Sequence, residues 1–262
     1  MPEYKNWLLS QEGHIARLTL NRPESKNNLT TDVLLELREI SELLASRREV
    51  WSVILQAAGD HFSTGMDTLV FRQSLEWSEQ AITEMIAAQQ ECLNTFEALG
   101  KPTIAKLHGF CIGGGLMLAL CCDFRIASKR TIFSLPEIKL GIPVLWGTHR
   151  IVRLVGESRA KELIYLGKRF RAADALSYGL IHQVVDPDEL DKAVQTLAER
   201  FELIPPRTVG IAKQITRMSH DLTGDESQTF EREALSNLQD SADVEEAIES
   251  YVQKRKPRFT GA

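Results

Sequence analysis

Apolar and polar positions alternate over residues 15–20, where Ala16, Leu18 and Leu20 interleave with Arg17 and Thr19. A period of two predicts a half-buried strand, and residues 7–9 supply its hairpin partner with a turn near Gly13. The period then changes. Leu34, Leu37, Ile40 and Leu44 recur at helical spacing, and the helix they define starts at Thr30 or Thr31, with Asp32 suited to its positive first turn. Residues 50–57 are apolar nearly throughout, the pattern of a strand buried on both faces. Residues 59–70 read as a loop and 78–99 as a long helix; 123–127 and 131–134 read as short strands. Strands alternating with helices imply parallel crossover units, hence an α/β fold. From Gly147 onward helical patterns dominate (148–154, 157–166, 172–178 and 188–203), interrupted by one strand at 181–185. Pro205-Pro206 breaks the chain before a last helical group that ends near Lys254-Arg255. The expected division is a core domain over residues 1–200 and a helical region over 201–262.

One stretch stands out from this alternation. Residues 101–120 begin as a short β-rich run after Pro102, pass through Gly109, Gly113, Gly114 and Gly115, and end as an apolar helix. A glycine cluster between strand and helix lets the backbone approach a ligand. It also leaves the first helical N–H groups unpaired and partly positive, able to hold an anion or a developing oxyanion. The same turn could equally be a tight connection with no chemistry. The glycine spacing is G-x-x-x-G-G-G, which fits neither a dinucleotide fingerprint nor a phosphate-binding loop.

Composition narrows the classes. The chain has 262 residues, 43% hydrophobic and 26% charged, as in soluble globular proteins. A net charge of −5 forces no basic face and argues against a nucleic-acid partner. No apolar run reaches membrane-spanning length and the N-terminus lacks a signal-peptide pattern, so a cytoplasmic protein without a membrane partner is expected. Cys92, Cys111, Cys121 and Cys122 lie in apolar surroundings and read as buried thiols. The histidines show no metal-ligand spacing, and no metal is assigned.

Several spaced motifs, in order, resemble the crotonase (enoyl-CoA hydratase/isomerase) superfamily. They are Asn21-Arg22-Pro23-Glu24-Ser25-Lys26-Asn27-Asn28-Leu29, the loop Phe62-Ser63-Thr64-Gly65-Met66-Asp67, the glycine stretch, and Pro136-Glu137-Ile138-Lys139-Leu140-Gly141-Ile142. The resemblance covers nearly the whole chain. It implies a crotonase/ClpP-like core of repeated ββα units and a C-terminal helical region that takes part in trimerisation. A homotrimer, or a hexamer as a dimer of trimers, is therefore expected.

The resemblance also implies a site. The backbone N–H groups of Met66 and Gly114 would form an oxyanion hole for a thioester enolate, with Gly113, Ser63 and Asp67 of the flanking segments among the substrate- and CoA-binding residues. Glu137 would be the general acid/base; read alone, a glutamate after a proline is more often a solvated loop carboxylate. Lys26 and Asn28 lie in the segment that lines the coenzyme A path in relatives, and Lys26 suits a CoA phosphate. Coenzyme A arrives on the substrate, so no resident cofactor is expected.

Two departures affect the reaction expected. Relatives that hydrate with two glutamates carry the second acid two residues beyond the glycine triplet, where this chain has Met117. One acid favours double-bond isomerisation, in which a single glutamate moves a proton between C2 and C4. Hydration is the alternative, followed by acyl-CoA decarboxylation and by a non-catalytic acyl-CoA-binding protein. The second departure is a loop one residue shorter than the family's L-G-I-I-P-G-A-G-G-T, with Val144, Leu145 and Trp146 where flexible glycines are common. Trp146 either packs in the core or narrows the acyl-binding wall.

Overall fold

The computed structural model describes residues 3–261. Strands β1 (Trp7–Glu12) and β2 (Ile15–Leu20) form the antiparallel hairpin that the alternation predicts. Parallel to β2 run β3 (Ser52–Ala57), β4 (Thr103–Leu107), β6 (Phe124–Ser128) and β9 (Gln183–Val185), in the order β1-β2-β3-β4-β6-β9. The alternation of side chains in β2, β3, β4 and β6 builds two separate cores. Ile15, Ile54, Ile104 and Ile126 pack against Leu190, Val194 and Ala198 of α7 (Leu190–Arg200) on one face. Leu18, Val53, Leu55, Ala105 and Leu107 face the other way, toward α1 (Thr31–Ser46) and α3 (Glu79–Glu97). Both faces of β3 and β4 are thus covered, which is why Val53-Ile54-Leu55 in β3 and Ile104-Ala105 in β4 run as consecutive apolar residues.

A smaller sheet, ordered β5-β7-β8, consists of β5 (Phe110–Ile112), β7 (Ile132–Ser134) and β8 (Phe170–Arg171). It sits beside the glycine turn and was not separable from the preceding strand by pattern, because β5 is three residues long. A second element outside the sequence reading is α2 (Thr68–Ser74), which begins inside the span read as loop and is capped by the Asp67 side chain on Leu69 N–H at 2.9 Å. The helices expected at 148–154 and 157–166 form one element, α5 (Thr148–Leu166), broken in backbone angle at Gly156. The strand expected over 181–185 is shorter by two residues, and α6 (Ala172–Ser177) precedes it.

Three helices end the chain: α8 (Pro206–Met218), α9 (Gly224–Ser236) and α10 (Ala242–Val252). Lys213 on α8 ties to the core, donating to the Lys101 carbonyl at 3.0 Å and pairing with Asp123 at 2.8 Å. Among the described residues, no helix is long and apolar enough to cross a membrane. All four cysteines are buried free thiols.

Arg150, at the start of α5, is the main buried ion-pair anchor between α5 and α3. Its guanidinium makes two bonds to Glu97, at 2.7 and 3.0 Å, one to Asn94 and one to the Trp146 carbonyl. Removing one partner leaves the other charge buried without compensation. Glu97→Ala is expected to lower unfolding stability by about 3 kcal/mol, read from the midpoint of urea unfolding. A change within error would show that this pair is held by solvent rather than by its partner.

Candidate functional site

The segment from Phe62 to Asp67 is threaded between two neighbours by main-chain bonds. On one side Leu29 N–H donates to Gly65 O at 2.8 Å and Asp67 N–H donates to Leu29 O at 3.0 Å. In such a parallel bridge the bonds come from the residues flanking Met66, so the N–H of Met66 itself points to the opposite side. On that side lies the glycine turn. Ser63 N–H donates to Phe110 O at 2.9 Å and Ile112 N–H to Ser63 O at 3.0 Å, which fixes the turn against the segment.

Gly113 precedes α4 (Gly114–Leu120) with φ 55° and ψ −127°, a backbone shape that only glycine adopts readily. Its own N–H donates to Ser134 O at 2.8 Å, and the N–H of Gly114 is left as the first free donor of the helix. The spacing is tight. A β-carbon on Gly65 would stand 3.1 Å from the Gly114 nitrogen, and one on Gly114 would stand 3.4 Å from the Met66 nitrogen. Two main-chain donors therefore meet at one edge of a cavity of about 150 Å³.

Glu137 lies on the short 3-10 turn Pro136–Leu140 and shares that cavity. A β-carbon on Gly113 would come within 2.5 Å of its Oε1, so the carboxyl sits directly over the glycine turn. Oε2 is buried without a hydrogen-bond partner among the described residues. Burial raises the Glu137 pKa above the ordinary carboxylate value and outweighs the opposing hydrogen bond from its own backbone N–H. Of the described residues around the cavity, Glu137 is the one carboxylate. Met117 faces the same space and is 1% exposed. Asp123 is elsewhere, accepting from Thr103 N–H at 2.8 Å and pairing with Lys213.

The structure separates the remaining sequence candidates by role. Trp146 lines the cavity, and its ring edge would stand 2.5 Å from a β-carbon on Gly114. Ser63 does not line it; its hydroxyl donates to Asn27 O at 2.7 Å and accepts from Gly65 N–H at 3.1 Å, holding the segment in shape. Asp67 caps α2 and accepts from the Asn28 amide at 2.8 Å, so those two residues brace each other. Lys26 is exposed with φ 54°, and its carbonyl accepts from Thr64 N–H at 3.2 Å.

Sequence reasoning missed Asn27 and Gln89. Asn27 is fully buried and donates to the carbonyls of Ala58 and His61, at 2.8 and 2.7 Å. Gln89, 2% exposed on α3, accepts from the Trp146 indole N–H at 3.1 Å. A polar residue on the buried stripe of a helix was the available signal for Gln89. Among the described residues no cluster of three His, Cys, Asp or Glu could hold a metal ion.

An α/β core thus brings two main-chain donors and one carboxyl to the edge of a predominantly apolar cavity. The chain belongs to the enoyl-CoA hydratase/isomerase family, whose model matches residues 10–262, and its fold is that of the crotonases. It is 35% identical to a crotonyl-CoA hydratase of Syntrophomonas wolfei, over 98% of both chains. It is 31% identical to a peroxisomal Delta(3,5)-Delta(2,4)-dienoyl-CoA isomerase of Arabidopsis thaliana, over 95% of this chain and 93% of the relative. An enoyl-CoA hydratase from Bacillus anthracis superposes with a TM-score of 0.91 at 30% identity, covering 98% of this chain and all of that one. It is an enzyme of this family, which acts on acyl-CoA thioesters.

The unpaired carboxyl has a stability signature. Its folded pKa is raised, so the stability conferred by the protonated form is complete below the ordinary carboxylate range and is lost as pH rises through the folded value. Glu137→Gln is free of that loss. At pH 8 the variant is expected to be more stable than wild type by roughly 1 kcal/mol, with the gap closing near pH 4. Parallel thermal unfolding across that range checks it, and a wild type that is the more stable at pH 8 would refute the unpaired-carboxylate reading.

Proposed function

We propose that the protein isomerises enoyl-CoA esters with Glu137 as the single proton carrier. The observation that carries this reading is the pairing of one unpaired carboxyl, Glu137, with the buried thioether of Met117 in the same cavity. The Glu137 carboxylate takes a proton from C2 of a 3-enoyl-CoA. The electron pair of that C–H bond moves into a dienolate whose thioester oxygen is held by the N–H groups of Met66 and Gly114. The double bond shifts from C3–C4 to C2–C3 as the Glu137 carboxylic acid returns the proton to C4. Donors aimed in advance at the oxygen bind the dienolate more tightly than the ester, which is where such a site lowers the barrier.

Hydration is the second reading, favoured by the hydratase names of a similar relative and of a solved neighbour. It needs a water to be activated and a proton to be delivered, work that two carboxylates share more readily than one. We assign Lys26 to the phosphates of coenzyme A, on the strength of its exposed ammonium and its position beside the Thr64 loop. A homotrimer or a dimer of trimers is the proposed assembly. It is supported by the exposed apolar side chains Leu235, Ile248, Tyr251 and Val252 on the C-terminal helices, the region 201–262 assigned to trimerisation.

Glu137→Gln is expected to lower kcat for migration of the double bond by roughly 100- to 10,000-fold, measured with a 3-enoyl-CoA in deuterated water. Double-bond migration without added oxygen supports isomerisation, with deuterium at C4 reporting the share of the carried proton that exchanges with solvent; a 3-hydroxyacyl product from the 2-enoyl ester, at a higher rate, establishes hydration instead. In wild type, log kcat/KM is expected to rise with pH through a value above the ordinary glutamate range, because the carboxylate is the active form.

Met117→Glu supplies the acid that the cavity lacks. It is expected to raise the ratio of hydration to isomerisation, at a cost in stability from burying a second carboxyl. An unchanged product ratio in a folded Met117→Glu protein would sink the argument that Met117 decides the reaction.

A further inference from the structure

Trp146 is not free to move. Its indole N–H is held by Gln89 Oε1 at 3.1 Å, and the Gln89 amide is held in turn by Thr31 Oγ1 at 3.0 Å. Its carbonyl accepts from Arg150 Nη1 at 2.9 Å, and the neighbouring Leu145 carbonyl accepts from Gln90 at 2.7 Å. The ring is 3% exposed and stands against Gly114, on the wall of the cavity that Glu137 and the two N–H groups share. Met66 and Met117, which share the lining with Leu140 and Leu145, are flexible thioethers that can yield to a ligand. Trp146 cannot yield without breaking buried hydrogen bonds at both its indole and its backbone.

The cavity measures about 150 Å³ and its lining is predominantly apolar. Apolar cavities of about 150 Å³ take a molecule the size of benzene, six carbon atoms. We propose that the protein is specific for short acyl chains of up to six carbons, and that Trp146, locked by Gln89, sets the limit. This rests on the acyl-CoA reading of the site, but not on which reaction follows binding. Gln89 acts through Trp146 and is a positioning residue; Trp146 is the specificity-determining one.

The test measures binding as well as turnover. Butanoyl-, hexanoyl- and decanoyl-CoA are titrated calorimetrically into wild type, Trp146→Ala and Gln89→Leu, and the matching 3-enoyl and 2-enoyl esters are assayed for conversion. One methylene too many in a fixed apolar pocket costs roughly 10- to 200-fold in discrimination. Wild type is therefore expected to bind and turn over decanoyl-length esters at least tenfold more weakly than hexanoyl-length ones. Trp146→Ala is expected to reverse that order. Gln89→Leu, which frees the indole and leaves the ring in place, is expected to relax it in part.

Equal affinity of wild type for hexanoyl- and decanoyl-CoA overturns the inference, and so does a folded Trp146→Ala protein with the wild-type chain-length profile. If Trp146→Ala does not fold, the wild-type series and Gln89→Leu still decide. A steep binding profile together with no isomerisation would reject the proposed reaction and leave the chain-length limit standing.

Discussion

Everything at the site depends on the segment around Met66 being pinned from both sides. Leu29 holds one edge by two main-chain bonds and β5 holds the other through Ser63. A peptide bonded on one side only could rotate its N–H away. Bonded on both, with Asn27 buried beneath it, the segment has one available direction for the Met66 N–H. Gly113 supplies the matching constraint from the other strand. Its backbone angles turn the chain so that the first helical donor faces Met66, and the absence of a β-carbon leaves room for Glu137. The two donors are main-chain groups, so their identity is set by fold rather than by side chain. That is why a bulky methionine is tolerated at position 66.

The same arrangement costs stability. A buried carboxyl with one oxygen unpartnered is what folding alone would remove, and nearby polar residues show the alternative. Ser63, Asn27, Gln89 and Asp67 each have defined partners. Glu137 Oε2 has none among the described residues, and most of its neighbours in the cavity are apolar. Desolvation without a compensating positive charge moves its pKa upward, the direction that makes a carboxylate a better base toward a carbon acid. On the proposed mechanism, the stability given up at Glu137 is reactivity kept there.

How much of this was legible beforehand depended on the range of the interaction involved. The period-two and helical stripes located β2, α1 and α3 because those signals are local and repeated. The placing of Glu137 beside the glycine turn was legible through motif resemblance, since G-x-x-x-G-G-G and P-E-x-x-L-G-I have specific spacing. The short strand β5 and helix α2 were not, because too few residues carry a period. Nor was the division of the candidates: Ser63, Asn28 and Asp67 sit in matched motifs, yet their side chains bond to the scaffold, a fact set by contacts across 36 to 39 residues. The hold of Gln89 on Trp146 spans 57 residues and belongs to the packed structure alone.

The loop before α5 shows how chemistry can change while the fold does not. In a loop with flexible glycines the cavity wall would be soft, and its size would follow the ligand. Val144, Leu145 and Trp146 instead make a wall with its own buried contacts, anchored by Arg150 to α3. On the proposed reading, Met117 changes what the cavity can protonate, and Trp146 changes what fits beside it. Neither substitution touches the main-chain bonds that fix Met66 and Gly114. A pair of backbone donors can therefore stay constant in position while the side chains around it change.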